Sequence, residues 1–139
     1  SDIKAPFVIT PHYGELSRIL DVDIQIINNQ FTSIVDDFME TFKGVLVAKN
    51  APTCTSYNNN VYINSSGNPG LSTAGTGDIL AGMIGGFIAQ GIKTEDASKL
   101  AVYIHGKAAD NYVNKNGMRG MIASDILNEI PLLLSKYEN

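Results

Sequence analysis

From Gly67 to Gly91 the chain reads GNPGLSTAGTGDILAGMIGGFIAQG: a glycine-rich loop, one aspartate, then an uncharged helix. This stretch constrains the fold more than any other, because a helix with no charge on any face has to be buried. Gly82, Gly85 and Gly86 each cost that helix roughly 1 kcal/mol relative to alanine. Close packing against a neighbouring helix or the sheet would explain them, which is a structural role with no chemistry attached. The loop points elsewhere. Gly67, Gly70, Gly75 and Gly77 let the backbone approach a ligand closely. Free N–H groups at the start of the next helix, reinforced by its dipole, favour an anion. Asp78 stands at the mouth of that pocket. It is either a helix-start residue stabilised by the dipole, worth about 0.3–1 kcal/mol, or a functional carboxylate.

Hydrophobic periodicity predicts what surrounds this segment. Phe7-Val8-Ile9, closed by Thr10-Pro11, reads as a buried strand ending at its carboxyl edge. A short helix over 12–20 and a longer one over 23–42 follow. The second carries Ile24, Ile27, Phe31, Ile34, Val35, Phe38 and Phe42 on one face. Residues 44–49 form the clearest parallel-type strand. Residues 53–56 and 61–64 flank Tyr57-Asn58-Asn59-Asn60 as a hairpin. The uncharged helix runs over about 78–90. Thr94-Glu95-Asp96 caps another helix to about Val113, with Leu100, Ala101, Ile104, Ala108 and Ala109 inward. A polar turn spans 114–120, and Ala123 opens a last helix burying Leu127, Ile130, Leu133 and Leu134. Alternating strands and helices mean α/β with a mainly parallel sheet. Two core strands and one hairpin are few for five helices, so further strands are expected from a partner chain or from a larger domain.

Composition narrows the functional classes. With 44% hydrophobic and 17% charged residues, the 139-residue chain is of soluble globular type with one core. A net charge of −4 without a basic stripe argues against nucleic-acid binding. The apolar run 79–89 is too short and glycine-rich to span a bilayer. Cys54 is the one cysteine, which points to a reducing compartment and the cytoplasm. It reads as a small buried residue rather than a nucleophile. His105 reads as a packing residue on a helix. No group of His, Cys, Asp or Glu has metal-ligand spacing.

Gly67 to Asp78, as GNPG-x-x-x-AGTGD, closely resembles the signature of the NAD(P)H-hydrate dehydratases, the YjeF carboxy-terminal-domain enzymes of the ribokinase-like superfamily. Ile9-Thr10-Pro11-His12-Tyr13-Gly14-Glu15 is similar to the family's TPHxGE segment, and Lys49-Asn50-Ala51-Pro52-Thr53 to its KGAPT segment. The three segments stand in the same order and spacing over nearly the whole chain. The resemblance implies a three-layer αβα ribokinase-like fold, with residues 1–139 as its carboxy-terminal half. It further implies repair of hydrated NADH and NADPH driven by ADP or ATP, with Mg²⁺ arriving on the nucleotide. By the same resemblance Asp78 contacts the hydrated nicotinamide as the base that activates its ring hydroxyl toward phosphate, and His12 contacts the hydrated dinucleotide. Lys49, Asn50, Ala51, Pro52 and Thr53 line the adenine nucleotide, together with Gly75, Thr76 and Gly77 of the loop. Without the resemblance, His12 reads more often as a structural helix-start residue, and Lys49 reads equally as a solvated strand cap.

Asn50 departs from the family's glycine. Asparagine tolerates the left-handed conformation that such a turn would use, although its side chain would stand near the nucleotide. The runner-up function is a ribokinase-like small-molecule kinase of the hydroxyethylthiazole or hydroxymethylpyrimidine type, with Asp78 deprotonating a substrate alcohol. A degenerate nucleotide-binding module is the non-enzymatic reading. Completion by a missing amino-terminal half, or a homo-oligomer, is expected in either enzyme case.

Overall fold

The computed structural model describes residues 3–137, which fall into two compact units meeting in sequence between Ile63 and Asn64. The first unit contains β1 (Val8–Ile9), α1 (Tyr13–Leu20), α2 (Ile24–Thr41), β2 (Val45–Ala48), β3 (Cys54–Tyr57) and β4 (Asn60–Ile63). The strands lie in the order β1-β2-β3-β4. β1 and β2 run parallel, because two helices separate them in sequence and supply the crossover. β3 is antiparallel to both β2 and β4. The α/β class therefore holds, but the pairing in these strands is mixed rather than mainly parallel. The hairpin is the reason. Its turn is the two residues Asn58 and Asn59, both with positive φ (45° and 61°), and so tight a turn permits only antiparallel neighbours.

Leu16, Ile27, Val35, Met39, Leu46 and Ala48 form the core of this unit, closing α1 and α2 onto one sheet face. The buried stripe of α2 begins at Ile27, and the expected Ile24 is exposed at the helix start. Gln30 (φ −131°, ψ 32°) interrupts helical geometry, so the two halves of α2 do not share one continuous stripe. Cys54 is buried, as a small core residue should be.

The second unit holds a 3₁₀ turn (Pro69–Ser72), α3 (Thr76–Ala89), α4 (Thr94–Asn116), α5 (Ala123–Leu134) and a closing 3₁₀ turn (Ser135–Tyr137). Its core joins Ile104, Ala108 and Ala109 of α4 to Met121 and to Ile126, Ile130 and Leu133 of α5. Ile79 and Met83 of α3 pack against it. His105 is buried on α4, as a packing residue should be.

Expectations for α3, α4 and α5 are corrected here. α3 is not covered all round: Ala81, Gly82, Gly85, Gly86 and Ala89 are exposed, while Leu80 and Ile84 are buried. A Cβ placed on Gly82, Gly85 or Gly86 meets nothing within 4 Å, so close packing among the described residues does not account for these glycines. The cap of α4 is Lys93, with no side-chain hydrogen bond, rather than the Thr94 triplet. The same helix runs to Asn116, where Gly117 (φ 80°) ends it, and leaves Leu100 exposed. On α5 the inward residue is Ile126 and Leu127 is 55% exposed, because Ile126, Ile130 and Leu133 share one helical face. No helix among the described residues is long and apolar enough to cross a membrane.

Candidate active site

In the first unit, two of the singled-out segments leave the sheet at the same edge. Residues 10–15 follow β1 and residues 49–53 follow β2, and because these strands are parallel, both segments emerge at the carboxyl ends where open α/β sheets hold ligands. The segments are tied together directly. His12 and Lys49 form a parallel bridge, and the Lys49 N–H donates to the Pro11 carbonyl at 2.8 Å. His12 is the N-cap of α1. Its Nδ1 accepts the Glu15 N–H at 3.1 Å, while Glu15 Oε2 accepts the His12 N–H at 2.8 Å. This reciprocal capping box satisfies two otherwise orphaned donors. An accepting Nδ1 leaves the proton of the neutral ring on Nε2, which stands 3.5 Å from Glu15 Oε1.

Glu15 is thus the hub of the cluster. Its other neighbour is Lys49, whose Nζ lies 4.0 Å from Oε2. The His12 backbone N–H, helped by the Lys49 and Arg18 charges, holds the Glu15 carboxyl below the ordinary carboxylate value. Asn50 turns its side chain to the Tyr13 hydroxyl, and Tyr13 stacks on Phe31 with ring centroids 5.2 Å apart. Burial raises the Tyr13 pKa above its ordinary value, and the Asn50 hydrogen bond opposes that rise. Asn50 does not adopt the left-handed conformation considered for it; its carbonyl instead accepts the Thr53 hydroxyl at 3.1 Å, closing the 50–53 turn. The Ala51–Pro52 bond within that turn is cis, and both residues are exposed. Beside these segments an open, mostly apolar cleft of about 490 Å³ is lined by Ile9, Thr10, Pro11, Glu15, Arg18 and Ile19.

The other predicted residues belong to the second unit. Gly75 (φ 88°) is the N-cap of α3, so the helix starts two residues before Asp78. Thr76 is buried, and its hydroxyl donates to the carbonyls of Leu71 (2.6 Å) and Thr73 (2.9 Å). That side chain clamps the loop. No side chain caps α3, and among the described hydrogen bonds the N–H groups of Gly77 and Asp78 have no acceptor. Uncapped donors at the positive end of a helix dipole make an anion site. Asp78 is exposed and takes part in no hydrogen bond or ion pair among the described residues. It does not act as a cap. Among the described residues no group of three His, Cys, Asp or Glu is placed to hold a metal ion.

Sequence reasoning passed over the residues that shape this loop. Asp110 of α4 accepts the Gly67 N–H (2.9 Å) and the Asn68 side-chain amide (2.9 Å). Thr73 ties the loop to the carbonyls of Gly70 (2.9 Å) and Met121 (3.2 Å). The one signal in the sequence is Gly106, a glycine inside a helix exactly one turn before an acidic residue on the same face. The Asn64 side-chain amide donates to the Ser66 and Val102 carbonyls.

Known proteins resemble this chain in sequence and in fold. The bifunctional NAD(P)H-hydrate repair enzyme Nnr of Moorella thermoacetica is 39% identical over 134 residues, covering 96% of this chain and 25% of that protein. The ADP/ATP-dependent NAD(P)H-hydrate dehydratase of Bacillus subtilis, co-crystallised with ATP/Mg²⁺ and soaked with CoA, superposes with a TM-score of 0.89 at 26% identity. That match covers 95% of this chain and 49% of the Bacillus chain. A ribokinase-like superfamily protein of Enterococcus faecalis matches with a TM-score of 0.80 at 30% identity, over 94% of this chain and 44% of its own. The fold is therefore ribokinase-like. The chain spans about a quarter of the Moorella protein and about half of the Bacillus structure. A family model for NAD(P)H-hydrate dehydratase matches residues 1–132, and the chain belongs to that family.

Proposed function

We propose that this chain contributes the nucleotide-phosphate and nicotinamide-facing elements of an enzyme that dehydrates hydrated NADH and NADPH at the expense of ADP or ATP. In this reading the residues here are the carboxy-terminal portion of a ribokinase-like domain. The observation that carries it is the uncapped start of α3, where the Gly77 and Asp78 N–H groups and the unpaired Asp78 carboxylate stand together inside the family-matching loop. The N–H groups hold the developing negative charge of the transferring phosphoryl group. Asp78 takes the proton of the ring hydroxyl as its oxygen attacks the terminal phosphorus, whose bond to the bridging oxygen breaks so that AMP departs from ADP, or ADP from ATP. The C–O bond of the phosphate ester then breaks, its electron pair leaving with inorganic phosphate, and loss of a proton from the adjacent ring carbon restores the ring double bond. Phosphorylation matters because phosphate departs far more readily than hydroxide.

His12 and the 49–53 segment take the remaining roles. His12 contacts the hydrated dinucleotide through its exposed Nε2 edge, while Lys49, Asn50, Ala51, Pro52 and Thr53 line the nucleotide. Their common emergence at one sheet edge supports that pairing. Mg²⁺ comes as part of the nucleotide. The test is recovery of NADH absorbance when the full-length protein receives hydrated NADH with ADP or ATP. Absorbance that recovers only with nucleotide supports the reading. Phosphorylation of an unrelated small alcohol, with no recovery, would point to a kinase of the same fold.

A further inference from the structure

We propose that Asp110 is a positioning residue for the phosphate-binding loop, acting through Asn68; the inference rests on the functional reading above. Both oxygens of its carboxylate are committed to one loop far away in sequence. Oδ2 accepts the Gly67 N–H at 2.9 Å and Oδ1 accepts the Asn68 Nδ2 at 2.9 Å. Because Asn68 must donate to a carboxylate, its amide can be oriented only one way, and Oδ1 accepts the Gly70 N–H at 3.1 Å. The chain of contacts continues without a gap. The Gly70 carbonyl accepts the Thr73 hydroxyl at 2.9 Å, and the Thr73 carbonyl accepts the Thr76 hydroxyl at 2.9 Å. Thr76 is the first residue of α3, whose next two N–H groups have no acceptor among the described residues.

Asp110 forms no ion pair among the described residues, so its charge serves the loop. Carboxylate hydrogen bonds are roughly twice as strong as neutral ones, which suits a single side chain that fixes a glycine-rich segment. Gly67 itself has a φ of 103°, a conformation the loop keeps while its N–H is held. The loop is thereby preorganised before the nucleotide arrives, and the transfer step needs no rearrangement of donors.

An exchange of partners tests this. Asp110→Asn alone sets two amide donors against each other whichever way the new side chain turns, without changing its size. Asn68→Asp alone sets two carboxylates together. With both substitutions the complement is restored: the new amide at position 110 donates to the new carboxylate at position 68 and accepts the Gly67 N–H. The second carboxylate oxygen accepts the Gly70 N–H.

The measurements are kcat and nucleotide KM of the full-length protein with hydrated NADH and ADP, alongside hydrogen exchange at the Gly67 and Gly70 amides. Each single variant is expected to lose about 10²-fold in kcat/KM and to exchange faster at both amides, and the pair to recover most of both. Singles that match wild type, or a pair no better than the worse single, overturn the inference. Wild-type protein without nucleotide-dependent turnover overturns the functional reading instead. Exchange then decides the loop: protection lost in the singles and regained in the pair supports Asp110, and unchanged protection overturns it.

Discussion

The Ser66 carbonyl lies directly against Gly106 of α4: a Cβ on residue 106 would stand 2.7 Å from the Ser66 carbonyl carbon and 2.8 Å from its oxygen. Neither group can step aside easily. The Ser66 carbonyl accepts the Asn64 side-chain amide at 2.9 Å, and the Ser66 hydroxyl donates to the Tyr103 carbonyl at 2.9 Å. Helix propensity alone would make Gly106→Ala stabilising by about 1 kcal/mol. We expect the opposite sign, a loss of about 1–3 kcal/mol from overpacking. Urea unfolding measures it, and a gain in stability would mean that the 64–66 segment does not sit on α4.

The glycines of α3 should behave in the reverse way. Gly85 and Gly86 are helical, exposed and have open space where a Cβ would go. Gly85→Ala and Gly86→Ala are each expected to raise the stability of this chain by roughly 0.5–1 kcal/mol. Loss of stability in either variant would reveal a backbone neighbour at this face.

Ser56 carries a buried hydroxyl with no hydrogen-bond partner among the described residues, opposite Leu46 and Val61 in the sheet. Removing an unsatisfied buried group recovers part of its desolvation penalty, about 1 kcal/mol. Ser56→Ala should leave stability unchanged or raise it by up to that amount. A clear fall in the urea midpoint would show that the hydroxyl does find a partner.

Glu15 predicts a pH dependence. Its carboxyl pKa is lowered in the folded chain, chiefly by the His12 N–H. A depressed acid pKa contributes stability that is fully present above the unfolded value, about 4.5, and is lost as pH falls through the lower folded value. Thermal midpoints followed from about pH 6 to pH 3 should therefore decline less steeply in Glu15→Gln than in wild type. Parallel curves would remove Glu15 from the list of acid-sensitive groups.

Asp78→Asn separates chemistry from folding. The side chain is exposed and makes no hydrogen bond among the described residues, so stability should change by no more than about 1 kcal/mol, the size of a charge–dipole contribution. Nucleotide-dependent turnover of hydrated NADH should fall by about 10²–10⁴-fold, as loss of a general base predicts. Wild-type turnover in this variant would falsify the role proposed for Asp78.

Local signals in the sequence reached the elements, while the family resemblance singled out the three candidate site segments. Period, capping residues and glycines act within a turn or two of the chain. They located α1, α2, the β2 strand, the Asn58–Asn59 hairpin and the loop before α3 to within a few residues. They also placed His12 and Lys49 at strand ends. Where two adjacent residues were equally apolar the signal failed, and Ile126 rather than Leu127 faces the core because α4 and Met121 lie on that side.

The rest needed tertiary structure. An uncharged helix reads as buried on every side, yet which faces of α3 are covered depends on what the remainder of the fold brings to it, and Gly85 and Gly86 remain open. Glu15 became the hub of the His12 and Lys49 segments only because β1 and β2 are parallel neighbours. Asp110 holds a loop 42 and 43 residues away. No periodicity or spacing rule spans such a separation. Sequence determines which backbone conformations are cheap, and the packed chain decides which distant side chain meets which unsatisfied N–H.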